Sequence, residues 1–205
     1  MRHENRARVR RILRALNPQD YERFEKIRIN DLGFGYDSFG LEVESAMAVF
    51  LLLHYFYEYW FRVDSCGIKN IPEEGPALLT PNHSGFIPID GAMIAIDLIK
   101  KMKQPRIMRA VLYNSAGFIP FVGTFFYRSG QISGARRNFE EALRQKELVA
   151  AFPEGSKGTW KGFRDRYRLK PFNVGFMELS LLYRTPIIPT AVIGAEEQYP
   201  FTTNV

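Results

Sequence analysis

Downstream of residue 72 the apolar residues alternate between short unbroken runs and helix-spaced sets, the pattern of strands alternating with helices. The runs at 77–80, 106–112, 148–152 and 187–193 read as strands, and the sets at 91–101, 135–145 and 172–183 read as helices. Runs this short, and apolar along their whole length, are covered on both faces, which a parallel sheet between helices achieves. The expected fold is α/β: a mostly parallel sheet flanked by helices, with the chemistry in loops that leave the strand ends.

The first 65 residues are patterned differently. Arg2, Arg6, Arg8, Arg10, Arg11 and Arg14 surround Val9, Ile12, Leu13 and Leu16, a basic helix with a partly apolar face that stops at Asn17-Pro18. Such a segment suits either an anionic lipid surface or a solvated arm. A polar stretch at 21–29 and a break at Gly33, Gly35 and Gly40 follow, and 41–63 then reads as one helix. Its residues 46–53 are apolar on every side, and Tyr55, Phe56, Tyr57, Tyr59, Trp60 and Phe61 make its far end aromatic, with His54 and Glu58 interrupting. The run is shorter than the ~18 uninterrupted apolar residues of a spanning helix, which leaves a core helix and one half-sunk in a lipid interface as alternatives. His54 reads as a packing or interfacial residue. The chain thus divides into an N-terminal basic and aromatic helical segment, 1–65, expected to contact membrane, and an α/β domain, 66–205.

Composition narrows the partner more than the fold. With 46% hydrophobic and 14% aromatic residues in 205, the chain has the material for a real core. A formal charge of +6 favours an anionic partner: a phosphorylated substrate, an acidic carrier, a bilayer surface or nucleic acid. The single Cys66 excludes an internal disulfide, and reads as a small packing residue. No Cys/His cluster suggests a metal site.

Candidate chemistry begins where the first strand empties into Pro81-Asn82-His83-Ser84-Gly85-Phe86-Ile87-Pro88-Ile89-Asp90. A neutral imidazole accepts a proton near pH 7 when a carboxylate fixes its tautomer, and Asp90 is the next carboxylate after His83. In an unbroken helix the two would stand roughly 10 Å apart. Gly85 and Pro88 argue instead for a loop that folds back, with Asp90 as the N-cap of a helix starting at Gly91. The alternative is an ordinary turn with a capping aspartate.

Three more stretches stand out. Gly130 is followed six residues later by Arg136, whose fork of donors suits a phosphate; Arg128 is another candidate, and a solvated helix face is the alternative. Phe152-Pro153-Glu154-Gly155-Ser156-Lys157-Gly158 carries a strand into a glycine loop whose amides, hydroxyl and ammonium suit a phosphate or a developing oxyanion. Ser156 is not a hydrolase nucleophile, because a Gly-x-Ser-x-Gly elbow needs glycine where Glu154 stands. Lys157, Lys161, Arg164, Arg166, Arg168 and Lys170 then follow with Asp165 the one acid among them, and Trp160, Phe163 and Tyr167 are interleaved, a composition that also suits nucleic acid. The last stretch is Thr185-Pro186-Ile187-Ile188-Pro189.

Taken together and in this order, Asn82-His83 with Asp90, Gly130 with Arg136, Phe152 to Lys157 and Pro186 to Pro189 resemble the four motifs of the glycerolipid (lysophospholipid) acyltransferase family, of the 1-acylglycerol-3-phosphate acyltransferase type. The departures are six residues between His83 and Asp90 where four are commoner, Ser133-Gly134 in place of bulky apolar residues, and Ser156-Lys157 in place of Thr-Arg. The resemblance implies transfer of a fatty acyl group from an acyl thioester, on coenzyme A or acyl carrier protein, to a lysophospholipid hydroxyl. It makes His83 the general base and Asp90 its orienting carboxylate. Arg136, Glu154, Gly155, Ser156 and Lys157 become substrate-binding residues, with Arg136 and Lys157 on acceptor phosphate. It implies no metal or other cofactor, and a protein peripheral to a membrane on its cytoplasmic side. The basic stretch at 157–170 then forms a phosphate-facing rim, with no nucleic acid expected. Two other readings stay open: an acyltransferase with a neutral glyceride or other alcohol acceptor, and a non-catalytic membrane-surface or nucleic-acid-binding module. Because the chain stops soon after the fourth motif, a short form or a C-terminally truncated piece is expected.

Overall fold

The computed structural model describes residues 2–85, 88–112 and 121–198. Phe86 and Ile87 of the His83 loop, and Gly117 to Pro120 before the second motif, lie outside the described residues.

Five strands form one all-parallel sheet among the described residues: β1 (Ala77–Pro81), β2 (Met108–Leu112), β3 (Ile132–Ser133), β4 (Leu148–Ala150) and β5 (Ile187–Thr190), in the order β3-β2-β4-β1-β5. The period-two alternation along each strand divides the core in two. Ala77, Leu79, Met108, Leu148 and Ala150 face one side and pack under α4 (Ile89–Lys101), which contributes Leu98. Leu78 and Val149 face the other, against Phe139 and Leu143 of α6 (Arg136–Arg144) and Leu179 of α8 (Gly175–Tyr183). Leu78, Leu79 and Leu148 are wholly buried, each worth roughly 1.5–3 kcal/mol of hydrophobic stabilisation.

The crossovers from neighbouring strands β1 and β4 run through helices on opposite faces, α4 and α8, which makes the C-terminal ends of these strands a switch point, where α/β sheets hold their sites.

The N-terminal segment is built into this architecture. Helices α1 (Arg2–Leu16), α2 (Pro18–Glu25) and α3 (Val43–Tyr55) bury Leu13, Phe24, Met47 and Phe50 against Met93, Ile96 and Ile99 on the outer face of α4. Neither a solvated arm nor a strip given wholly to lipid describes α1: Leu13 is fully buried, Arg6 pairs with Glu42 at 2.7 Å, and Arg10 pairs with Glu44 and Glu25. Asn17 caps α2 by accepting the Asp20 amide, which with Pro18 explains the break between α1 and α2.

Several boundaries differ from the sequence expectation for identifiable reasons. The helix expected over 41–63 ends at Tyr55 and widens into a π turn, Phe56–Trp60. The wider turn swings Tyr57 inward, where its hydroxyl donates to Asp97, while Tyr55, Phe56, Tyr59 and Trp60 stay exposed. Burial, and then that bond to Asp97, hold the Tyr57 phenol protonated far above its usual range. The strand expected from 106 starts at Met108, because Arg106 turns aside to donate to the carbonyls of Pro72, Gly75 and Lys146. A helix, α5 (Val122–Arg128), and the two-residue β3 were not expected. Cys66 is exposed, not packed. Among the described residues no helix is long and apolar enough to cross a membrane.

Candidate active site

β1 ends at Pro81, which has no amide proton to continue the ladder, and the next three residues are each held by a different neighbour. Asn82 clamps the segment after β5 at two points: its Nδ2 donates to Val192 O at 2.9 Å and its Oδ1 accepts from Val192 N at 2.7 Å. The His83 amide donates to Glu154 Oε1 at 2.9 Å, and the Ser84 amide to Asp90 Oδ2 at 3.0 Å. A positive φ at Gly85 turns the loop back toward α4.

The turn brings His83 and Asp90 together. His83 Nδ1 lies 2.7 Å from Asp90 Oδ2, with the Asp90 side chain fully buried and that of His83 11% exposed. An ionised carboxylate only accepts, so Nδ1 carries the proton and the lone pair sits on Nε2. Nε2 has no hydrogen-bond partner among the described residues. Asp90 is not the N-cap: α4 starts one residue earlier, at Ile89, and Pro88 occupies the cap position. Asp90 Oδ1 still accepts the Gly91 amide at 2.7 Å, so the carboxylate lies in the first helical turn, where the helix dipole favours negative charge.

The loop after β4 walls in the histidine. The Phe152 ring packs on the imidazole at a centroid distance of 4.3 Å, and Gly91 leaves it room, since a Cβ there would stand 3.1 Å from Phe152 Cζ. Gly158 lies closer still: an added Cβ would meet Glu154 Cβ at 2.9 Å, His83 Cβ at 3.0 Å and His83 O at 3.1 Å. We expect Gly158→Ala to push His83 out of register, lowering kcat/KM by roughly tenfold or more at a stability cost of about 1–3 kcal/mol. Steady-state rates and a denaturant melt on the same sample check it, and wild-type values for both would show that the loop yields freely.

Glu154 is the keystone of the loop. Its Oε1 takes the His83 amide; its Oε2 takes the Lys170 amide at 2.7 Å and the Lys161 ammonium at 3.2 Å. Lys161 is itself buried, reaching Glu196 at 2.8 Å and Arg168 O at 3.2 Å. Two sequence expectations change accordingly. Glu154, expected among the substrate contacts, spends both carboxylate oxygens on protein donors. Lys161, read as part of a phosphate-facing rim, is an internal strut.

The remaining expected residues lie at the same end of the sheet but are not all joined to His83. Gly155, Ser156 and Lys157 are exposed at the start of the short α7 (Ser156–Thr159), and the Gly155 amide is taken by Phe152 O at 3.0 Å. Lys157 makes no hydrogen bond or ion pair among the described residues. Arg136 opens α6, where its guanidinium is bound by Glu178 at 2.7 Å and Glu140 at 2.9 Å. Those carboxylates push its already high pKa up further, Glu178 first, and Arg136 in turn holds the Glu178 carboxyl below its usual range.

A buried Asp–His pair at the C-terminal end of a parallel sheet, with a glycine loop beside it, is an arrangement able to take a proton from a hydroxyl. Comparison with known proteins says which chemistry it belongs to. A family model described as Acyltransferase matches residues 62–193. The chain belongs to the acyltransferase family. The match covers β1 to β5 with both halves of the site and leaves out α1 to α3. Among curated relatives, an uncharacterized protein of Mycobacterium tuberculosis is 36% identical over 174 residues, 84% of this chain and 49% of the relative. One of Mycobacterium leprae is 35% identical over 171 residues, 82% of this chain and 47% of the relative. The mouse 1-acyl-sn-glycerol-3-phosphate acyltransferase alpha is 26% identical over 155 residues, 73% of this chain and 51% of that enzyme. The chain spans about half the length of the curated relatives it matches. No solved structure is a significant match.

Proposed function

We propose that this acyltransferase moves a fatty acyl group from an acyl thioester, on coenzyme A or acyl carrier protein, to the free hydroxyl of a lysophospholipid such as 1-acylglycerol-3-phosphate. The observation that carries the proposal is the His83–Asp90 pair, with Nε2 left to face a hydroxyl. Similarity to an acylglycerol-phosphate acyltransferase supports the choice of acceptor.

In this mechanism His83 Nε2 takes the acceptor proton as the hydroxyl oxygen attacks the thioester carbonyl carbon. Asp90 holds the tautomer and stabilises the imidazolium. The Ser156 and Lys157 amides head α7 and have no intrahelical carbonyl to reach, so they, not Gly155, suit the developing oxyanion. The carbon–sulfur bond then breaks, and His83 returns the proton to the departing sulfur. Because acceptor and product both partition into bilayers, the proposal includes peripheral attachment to a membrane, on the cytoplasmic side.

A second reading, with a neutral glyceride as acceptor, is favoured by one observation: Arg136 is already neutralised by Glu140 and Glu178. Free-thiol release from acyl-coenzyme A and acyl carrier protein, with phosphorylated and neutral acceptors, separates the two. On the lysophospholipid reading, thiol release requires the phosphorylated acceptor. Arg136→Ala should then raise KM for that acceptor by roughly tenfold while leaving a neutral one nearly unaffected. Equal use of both acceptors supports the glyceride reading, and no thiol release with any acceptor rejects both.

A further inference from the structure

The lysophospholipid reading needs a face that meets the bilayer, and of the exposed aromatic surfaces two are marked by a tryptophan. One is the π turn with Tyr55, Tyr59 and Trp60. It is pinned to the far half of α4 by the bond from Tyr57 to Asp97 and by the pairing of Glu58 with Lys100 at 2.8 Å. Lys100 lies ten residues along α4 from Asp90, roughly 15 Å down the helix axis and toward the N-terminal ends of the strands. An interfacial side chain sinks only about 5–10 Å into a bilayer, so contact there leaves His83 remote from lipid.

The other surface surrounds the site. The segment 157–174 is tied to the catalytic loops through Glu154 with Lys161 and Lys170, and through the Asn173 amide donating to Pro153 O at 2.8 Å. Ile193 follows Val192, which Asn82 clamps beside His83. Along this rim Trp160 is 58% exposed, Tyr167, Leu169 and Val174 are each 63% exposed, and Ile193 is 88% exposed. Lys157, Arg164 and Arg168 stand exposed among them; Asp165 pairs with Lys170, and Lys161 is shared between Glu154 and Glu196. Apolar and aromatic side chains interleaved with exposed cations match an anionic lipid interface, where hydrocarbon and charge act together.

We propose that the rim formed by Trp160, Tyr167, Leu169, Phe172, Val174 and Ile193 is the surface that docks on an anionic bilayer and sets the His83 site against it. The proposal rests on the lysophospholipid reading for its occupant and adds the orientation. The chain's two tryptophans, Trp60 and Trp160, fall one on each competing surface and report on it directly. Trp60→Phe leaves Trp160 as sole reporter, and Trp160→Phe leaves Trp60. On vesicles of phosphatidylcholine and phosphatidylglycerol carrying brominated chains, Trp160 emission should shift to the blue and be quenched, and Trp60 emission should change little. The double variant Leu169→Ser with Phe172→Ser should weaken vesicle binding on the order of tenfold. Quenching of Trp60 as strong as that of Trp160, or no vesicle binding at all, overturns the proposal. So does quenching of Trp160 by a single-stranded oligonucleotide in a protein indifferent to vesicle charge. Thiol release with a short-chain acceptor below its micellar concentration, measured on the same proteins, keeps the two readings apart: docking without turnover rejects the acyl-transfer reading, and turnover without docking rejects this one.

Discussion

His83→Ala protein is expected to remain folded and to turn over roughly 10² to 10⁴ times more slowly, the usual worth of a positioned general base. Folding should survive because Asp90 keeps the Ser84 and Gly91 amides as donors when the imidazole is gone, so the buried carboxylate is not left unpaired. Asp90→Asn should lose activity on the same scale by a different route. An amide can donate to Nδ1, which moves the ring proton to Nε2 and leaves no lone pair for the acceptor hydroxyl. Single-turnover thiol release, read alongside thermal melts, checks both. Near-normal rates in a folded His83→Ala protein would end the mechanism as written.

The second large effect is on stability. Glu154→Ala removes at one stroke the acceptor of the His83 amide, the acceptor of the Lys170 amide and a partner of buried Lys161. Breaking a buried ion pair by deleting one partner costs about 3–5 kcal/mol, and the lower end applies here because Lys161 keeps Glu196. Denaturant titration should show that loss. Activity should fall even where the protein stays folded, because the His83 backbone loses its tether. Glu154→Gln, which retains an oxygen for one amide, should recover part of both. A Glu154→Ala protein as stable as wild type but with raised KM would return Glu154 to the substrate contacts that its motif suggests.

The two substitutions also separate two kinds of residue in one motif set. In the proposed mechanism His83 alone acts on the reacting atoms; Asp90 orients it, and Asn82, Phe152, Glu154 and Gly158 hold the loops that carry it. Sequence position alone did not sort them, since Glu154 and Ser156 sit two residues apart in the same loop, one buried and one exposed.

Much was legible in the sequence because it depends on near neighbours. The strands β1, β2, β4 and β5 and the helices α4, α6 and α8 follow from the period of apolar residues, and the parallel sheet from their alternation, for reasons of covering two faces. His83 and Asp90 were legible because Gly85 and Pro88 forbid the helix that would have held them apart. What required the tertiary structure was everything set by contacts across long stretches of chain. The merging of α1 to α3 with α4 depends on which face of each helix meets another. The burial of Lys161 depends on Glu154 and Glu196 converging from different loops, whereas by composition it reads as one more cation in a basic run. The same holds for Gly158, an ordinary loop glycine in the sequence. Only the packing of α7 against the back of His83 makes its missing Cβ a condition for the site.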